Sequence, residues 1–225
     1  MKKLFFFFTG LLSFNTAFTQ VRFSIATDAS LLRNFSPQQK FWSFGQGVEG
    51  DFHFSKKATA YAWINYHTQG NFTNTFIAVA KTPATTPAQV SYSVTGKWRF
   101  RQVSLGWKHY FKGSFDAEQD FNLYGAAGFG LMFSKVSNII NSMPDTSIYQ
   151  LAPTPVAGND EFKRLTLDLA AGAEYPLASS IFLYGDVRTS LPTSNYPSPF
   201  FHNQERVPFP VMLNAGIRIL FGYGE

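Results

Sequence analysis

The chain has 225 residues, a length that fits one domain, and 45% of them are hydrophobic. Its 26 Phe, 10 Tyr and 4 Trp stand against only 15% charged residues, so either a large core or an apolar outer surface has to take up the rings. The absence of cysteine excludes disulfides, cysteine-based metal sites and the acylated N-terminal cysteine of a lipoprotein. The formal net charge is +5 with the basic residues scattered rather than clustered, so no nucleic acid partner is expected.

The first residues have the layout of a secretory signal: Lys2 and Lys3, an apolar stretch from Leu4 to Phe14, then the small residues Ala17 and Thr19. Cleavage after Thr19 is expected, leaving one domain over residues 20–225 and a formal charge of +3 once Lys2 and Lys3 are gone. An uncleaved anchor helix is disfavoured because Asn15, Thr16 and Thr19 interrupt the apolar run short of the roughly 20 residues a spanning helix needs. Beyond residue 20 there is no long apolar run. The mean hydropathy of −0.09 would suit a soluble protein, but a membrane barrel that alternates apolar and polar residues also averages near zero.

A period of two recurs along the rest of the chain. Over 21–32, Val21, Phe23, Ile25, Ala29 and Leu31 alternate with Arg22, Ser24, Ala26, Asp28 and Ser30. Over 41–54, Trp42, Phe44, Val48, Phe52 and Phe54 oppose Ser43, Gly45, Gly47, Glu49, Asp51 and His53, and residues 55–57 make a tight turn. A third strand follows at 58–68, where Tyr61 and Trp63 oppose Ala60, Ala62, Ile64 and Tyr66; both faces are apolar, so its facing stays open. Residues 70–97, with Pro83 and Pro87 among many Thr and Asn, read as a long loop whose flanks extend as a hairpin.

The fourth strand, about 99–111, sets Val103, Leu105, Trp107 and Phe111 against Gln102, Ser104, Gly106, Lys108 and Tyr110. The fifth, 121–134, sets Phe121, Leu123, Ala127, Phe129, Leu131 and Phe133 against Asn122, Tyr124, Gly128, Gly130 and Ser134. Residues 136–161 read as a second long polar loop. The sixth strand, 162–176, sets Leu165, Leu167, Leu169, Ala171, Ala173 and Tyr175 against Thr166, Asp168, Ala170, Gly172 and Glu174. A turn at 178–180 leads to the seventh, 181–191, with Ile181, Leu183 and Val187 against Tyr184, Asp186, Arg188 and Ser190. A Pro-rich loop over 192–208 precedes the closing strand, 209–221.

About eight strands joined by alternating long and short connections predict an all-β, transmembrane up-and-down antiparallel barrel. A soluble lipocalin-like barrel would also alternate, with its apolar face inward. Two features favour the apolar face outward. Trp42, Phe44, Phe52, Phe54, Trp107, Phe111, Tyr175 and Phe221 sit toward strand ends, where interfacial girdles belong. The polar face is rich in Gly, Ala and Ser, as a narrow lumen requires.

On this pattern the mature chain resembles the small eight-stranded outer-membrane β-barrel superfamily of OmpA/OmpX type, particularly the outer-membrane β-barrel proteins common in Bacteroidota. Its last strand is similar to the family's C-terminal assembly signal, with Asn214, Gly216, Ile219 and Phe221 in the corresponding places, although "GYGE" follows Phe221. The resemblance implies outer-membrane localisation, contact with outer-membrane lipid and recognition by the barrel-assembly machinery.

The inward charges are the first candidates for chemistry: Arg22, Asp28, Glu49, Asp51, Lys108, Asp168, Glu174, Asp186, Arg188 and Arg218. An isolated buried charge costs several kcal/mol, so they must pair. A lumen-plugging ionic cluster of Arg22, Glu49, Asp51, Lys108, Glu174, Asp186 and Arg218 is expected, with Arg218, Asp186 and Glu174 at similar depth; the other reading is a charged ion path. His53 and Ser55 resemble the His-x-Ser of membrane-embedded lipid A deacylases, but no acid follows in the matching position and an interfacial polar pair beside a turn is the simpler reading. His67, His109 and His202 are far apart and give no metal-ligand spacing. "GAAGFG" at 125–130 lies mid-strand with no helix after it, so it is no dinucleotide fingerprint.

The loop residues Phe72, Phe76, Ile77, Ile139, Ile140, Tyr149, Tyr196, Phe200 and Phe201 could meet an extracellular partner or pack the loops together, and packing is favoured. No cofactor, metal or catalytic residue is expected. The resulting expectation is a monomeric, non-enzymatic barrel with a structural or surface-interaction role through its long loops, its extracellular ligand unidentified. A narrow pore or ligand-specific channel is the alternative, and an outer-membrane lipid-modifying enzyme comes last.

Overall fold

The computed structural model describes residues 22–153, 155–194, 198–202 and 210–222. The signal sequence expected over 1–19 lies outside these residues, as does Tyr196. The described chain forms ten strands: β1 (Arg22–Asn34), β2 (Phe41–Ser55), β3 (Ala58–His67), β4 (Gly70–Ala80), β5 (Gln89–Lys112), β6 (Asn122–Asn141), β7 (Tyr149–Gln150), β8 (Gly158–Ala178), β9 (Ile181–Pro192) and β10 (Pro210–Phe221). Among them is no helix long and apolar enough to cross a membrane, a statement that does not bear on strands.

Eight of the strands close a ring in the order β1, β2, β3, β5, β6, β8, β9, β10, all antiparallel. The ring is sealed where Phe23 of β1 pairs with Phe221 of β10 and their rings stack at 4.8 Å. The closing strand therefore ends beside the start of the first, which fixes an even strand number and puts both ends on the short-turn side.

Alternation divides the wall into two faces. Phe44, Val48, Ile64, Leu105, Phe129, Leu165, Val187 and Ile217 are exposed on the outside, while Glu49, Lys108, Asp168, Glu174, Asp186 and Arg218 are buried within. The eight aromatics assigned to the strand ends are all exposed. An apolar outside around a charged inside is the reverse of a soluble barrel. The outward run from Val103 to Phe111 carries the band on β5. At about 3.3 Å per residue and a tilt of roughly 40° such a run rises about 23 Å, close to the roughly 25 Å apolar belt of this class.

The structure settles one open point and extends two strand regions beyond the sequence expectation. The third strand takes a definite facing: Tyr61, Trp63, Asn65 and His67 point inward and are buried, and Ile64 and Tyr66 point outward. The hairpin expected at the flanks of 70–97 takes up most of that segment and leaves only 81–88 as loop, because β4 pairs with β5 from Gly70↔Trp98 to Val79↔Gln89 and continues the wall where β3 stops. Likewise β6 runs on to Asn141 and β8 begins at Gly158, so the second long loop is shorter than 136–161. Many of their outward residues there, such as Thr73, Thr95 and Asn141, are polar and hydrogen-bonded to one another, with Ile77, Val79 and Ile139 the apolar ones among them. Thr suits a pleated strand but carries no apolar alternation, since no bilayer faces this region. The wall thus extends beyond the apolar belt as a sheet of β4, β5, β6 and β8, with β7 pairing on β4.

Candidate functional site: a charged lumen between two aromatic lids

The lumen is filled along its length. At the short-turn end Phe115, from the connection between β5 and β6, folds under the barrel, is nearly fully buried and stacks on His53 at 4.1 Å. Its carbonyl accepts a hydrogen bond from Arg218 Nη2 at 2.8 Å, which ties the turn to β10. Arg22 sits at this mouth and pairs with Asp116 at 2.9 Å, apart from the other charges with which the sequence grouped it. Its place at the short-turn end of β1 leaves it partly in solvent, so it closes the rim instead of joining the interior.

Above that lid Arg218 makes a two-pronged contact with Glu174, Nη2 to Oε2 at 2.7 Å and Nε to Oε1 at 3.2 Å. Tyr110 donates its hydroxyl to the same carboxylate at 3.2 Å, and the guanidinium lies over the Phe182 ring at 4.1 Å. The next layer is a chain of shared charges. Lys108 Nζ donates to Glu49 at 2.5 Å and to Asp51 at 3.2 Å, while Arg188 Nη2 donates to Glu49 at 2.7 Å and Asp186 at 3.2 Å. Asn214 and Tyr124 also donate to Asp186, at 2.6 and 3.2 Å.

Asp186 therefore belongs to the Arg188 layer, and Glu174 alone of the expected trio meets Arg218. The Arg188 guanidinium sits over Trp63 at 4.2 Å. These inward aromatics explain why the third strand looked apolar on both faces: an indole can cover a cation in a lumen as well as face lipid.

Two buried carboxylates have only neutral partners among the described residues. Asp28 accepts from Tyr184 at 2.8 Å, and Asp168 accepts from Ser104, from Thr166 at 3.0 Å and from Gln102 at 3.1 Å. Hydroxyl and amide donors replace the hydration that burial removes.

At the loop end Phe201, from the connection between β9 and β10, inserts into the mouth with no exposure and packs on Trp98 at 5.3 Å and Phe162 at 5.0 Å. Leu32, Phe41, Phe100, Met132, Val136 and Met212 complete this upper cluster. The loop is held by Asn138, which donates to the Phe200 carbonyl at 2.8 Å, and by Asn74, which bonds His202 at 2.7 Å. Phe115 and Phe201 escaped the sequence reading as lids because each lies in a connection, where alternation gives no facing; a lone large aromatic in a turn beside a barrel mouth is the signal that could have found them.

His53 does not partner Ser55. Its Nε2 lies 2.7 Å from Ser24 Oγ and its Nδ1 2.8 Å from Thr59 Oγ1. A Ser–His contact is the beginning of a nucleophilic site, but Thr59 stands where a carboxylate would orient the ring. Ser24 also receives Arg218 at 3.3 Å and is fully buried, with Phe115 stacked over the histidine. Nothing could reach the hydroxyl without removing the lid. No group of three or more metal-ligating side chains occurs among the described residues.

Asn214 faces the lumen, and Gly216 packs with its Cα side against the Thr27–Asp28 backbone of β1. Ile219 and Phe221 face outward.

An eight-stranded antiparallel ring with an apolar outside and a charge-filled inside has the fold of the small outer-membrane β-barrels of OmpA/OmpX type. Among solved structures the chain is similar to Neisserial surface protein A (NspA), with 11% identity, a TM-score of 0.55, and coverage of 88% of this chain and 96% of that one. It is also similar to the N-terminal β-barrel domain of Pseudomonas aeruginosa OprF, with 9% identity, a TM-score of 0.50, and coverage of 90% and 100%. No protein-family model and no curated protein sequence matches the chain.

Proposed function

We propose that this protein is a closed, non-enzymatic outer-membrane barrel whose role lies in the sheet and loops it raises above the membrane. The observation that carries the reading is the lumen itself: paired charges occupy its middle, and Phe115 and Phe201 are buried at its two mouths. An eight-stranded barrel has an interior that side chains can fill, and here they do. A continuous water path through it would require unpairing Lys108, Arg188 or Arg218 from carboxylates buried with them, at a cost of several kcal/mol each. The narrow pore is thereby disfavoured, and the covered Ser24 and His53 disfavour the lipid-modifying enzyme.

What remains accessible is the raised sheet. The pairing of β4 with β5 adds ten residues to each strand, about 30 Å of strand length. Its inward side is packed by Ala78, Tyr92, Val94 and Tyr149, so it stands as a rigid structure rather than as a loose loop. Ile77, Val79 and Ile139 remain exposed on it, with Met143 in the connection just beyond β6, the kind of scattered apolar surface through which a surface-interaction protein would meet an extracellular ligand. The closed ring leaves no edge within the apolar belt for a neighbour to pair with, and on this reading the barrel itself is a monomer. On this reading Asn214, Gly216, Ile219 and Phe221 serve as the assembly signal, since the outward Ile219 and Phe221 lie on the strand that closes last.

The test is single-channel recording of the full mature chain in planar bilayers, with membrane fractionation of cells that express it. Outer-membrane recovery without conductance steps is expected. Regular steps would instead establish the pore, and a changed lipid A mass spectrum on expression would establish the enzyme.

A further inference from the structure

The outward face of β5 passes through three chemical zones. From Phe111 to Val103 it is apolar apart from His109 at its lower end; Arg101, Arg99 and Lys97 follow; then come Thr95, Ser93 and Ser91. The same order recurs on β6, where Phe129, Leu131 and Phe133 give way to Lys135 and then Ser137, and on β8, where Leu165 is preceded by Lys163 and Glu161. A basic zone between an apolar belt and a neutral polar one lies at the level of lipid headgroups.

The strand register sets these cations against each other. Arg99 pairs directly with Lys135, and Arg101 and Lys163 flank Phe133 from its two sides. Like charges opposed across a strand pair destabilise a sheet unless something anionic lies between them. The one acid of the cluster, Glu161, contacts Lys135 at 3.0 Å, leaving four cations against one carboxylate. Arg99 Nε is buried and has no hydrogen-bond partner among the described residues.

The cluster also has a shape. Its residues line a recess of about 510 Å³ on the outer wall, together with Tyr66 and Phe133. Arg101 lies over the Tyr66 ring at 5.6 Å and Lys163 over the Phe133 ring at 5.7 Å, so the cations sit on aromatic shelves rather than extending freely. Ile64 and Val103 line the recess at its apolar edge, and Leu131 continues the apolar wall beside them.

We propose that this recess is a binding site for the phosphate groups of an acylated lipid headgroup in the leaflet beside the loops, its acyl chains lying on the apolar wall below. Arginine binds phosphate in two-pronged fashion, and Arg99 and Arg101 offer two such forks two residues apart on one face. Charge complementarity selects a phosphorylated lipid over a zwitterionic one. The proposal rests on the outer-membrane reading; its test uses purified protein in detergent, so its failure is separate from that of the localisation, which fractionation alone decides.

The full mature chain, refolded in detergent, is titrated with bisphosphorylated lipid A, with the same lipid after phosphate removal, and with inorganic phosphate, and binding is read by native mass spectrometry. The phosphorylated lipid should bind roughly tenfold or more tightly than the dephosphorylated one, as the loss of a charge-assisted hydrogen bond implies. The double variant R101Q/K163Q should lose a similar factor while keeping the boiling-dependent gel shift of a folded barrel, and E161Q should bind at least as tightly as the parent. Equal binding of the two lipids overturns the proposal, as does an unchanged affinity in R101Q/K163Q. Inorganic phosphate binding as tightly as the lipid would also overturn it, because a free anion would then be the ligand. Should the double variant fail to fold, the comparison of the two lipids on the parent protein still decides.

Discussion

Arg218 on β10 and Glu174 on β8 meet across the intervening β9, their two hydrogen bonds of 2.7 and 3.2 Å tying strands that share no backbone pairing. Such a contact cannot be supplied by the sheet ladder, and it lies where Tyr110, Ser24 and the Phe115 carbonyl also converge. Removing one partner strands the other charge inside the barrel. Arg218→Ala is expected to cost about 3–5 kcal/mol of stability, and Arg218→Met with Glu174→Met much less, since a paired loss leaves no orphan charge. Urea unfolding of the refolded barrel, followed by tryptophan fluorescence, measures both. If Arg218→Ala left stability unchanged and opened a conductance, the pair would be lining a path and not plugging one.

Leu105 is two-thirds exposed in the middle of the outward face of β5. On a soluble protein an exposed substitution at such a place changes stability by about 0.5 kcal/mol or less. At the midplane of a bilayer an arginine on the lipid face of a barrel costs roughly 2–4 kcal/mol. Leu105→Arg should therefore destabilise the barrel in lipid vesicles by the larger amount, whereas Ser91→Arg, exposed in the raised sheet on the same face, should be nearly neutral. Equal effects at the two positions would mean that no bilayer meets this wall.

How far the sequence revealed all this depends on which physical constraint acted on each segment. Where one face met lipid and the other a narrow polar lumen, alternation was strict, and the strands around Val48, Leu105 and Leu165 could be faced correctly by eye. Where that contrast is missing, alternation gives no facing. Trp63 turns inward because it covers Arg188, and above the membrane β4 carries Asn71, Thr73 and Thr75 on its outer side, which resemble a loop in composition. The inward charges were legible singly, but their pairing was not. Arg188 reads as inward from period two alone, but its place in the cluster, joining Glu49 to Asp186, depends on register, which period two does not supply.

Gly106 and Gly128 face each other across β5 and β6 beneath the ring of Tyr61. A Cβ on Gly106 would press on the Ala127 carbonyl oxygen and come within 2.7 Å of Tyr61 Cε1, and one on Gly128 would press on the Leu105 carbonyl oxygen and come within 2.7 Å of the Tyr61 hydroxyl. The two glycines thus make the space that lets Tyr61 lie beside the Arg188 guanidinium, 5.6 Å from it. Gly128→Ala should cost about 1–3 kcal/mol through overpacking. Combining it with Tyr61→Ala should recover part of that cost, because the clashing ring is gone, and a double-mutant cycle by urea unfolding reads the coupling. Strict additivity would place the strain elsewhere in the sheet.

His202 lies in the connection that carries the upper lid, next to Phe201, and is buried against Phe72 at 4.7 Å with its Nδ1 held by Asn74. Burial pushes its pKa down from 6.5 to about 4. The folded loop therefore holds the neutral imidazole, while the undocked loop takes up a proton more readily. The sign follows: docking is at full strength above pH 6.5, weakens as pH falls from there toward 4, and loses nothing further from this group below that. A shift of this size corresponds to roughly 3.5 kcal/mol at most. Amide hydrogen exchange at residues 198–202, corrected for intrinsic rates, should rise between pH 7 and pH 4. In His202→Asn, which keeps a polar group beside Asn74 but cannot titrate, that rise should disappear. A rise of equal size in the variant would assign the effect to another group, and the lid would then be held by Trp98 and Phe162 without help from the histidine.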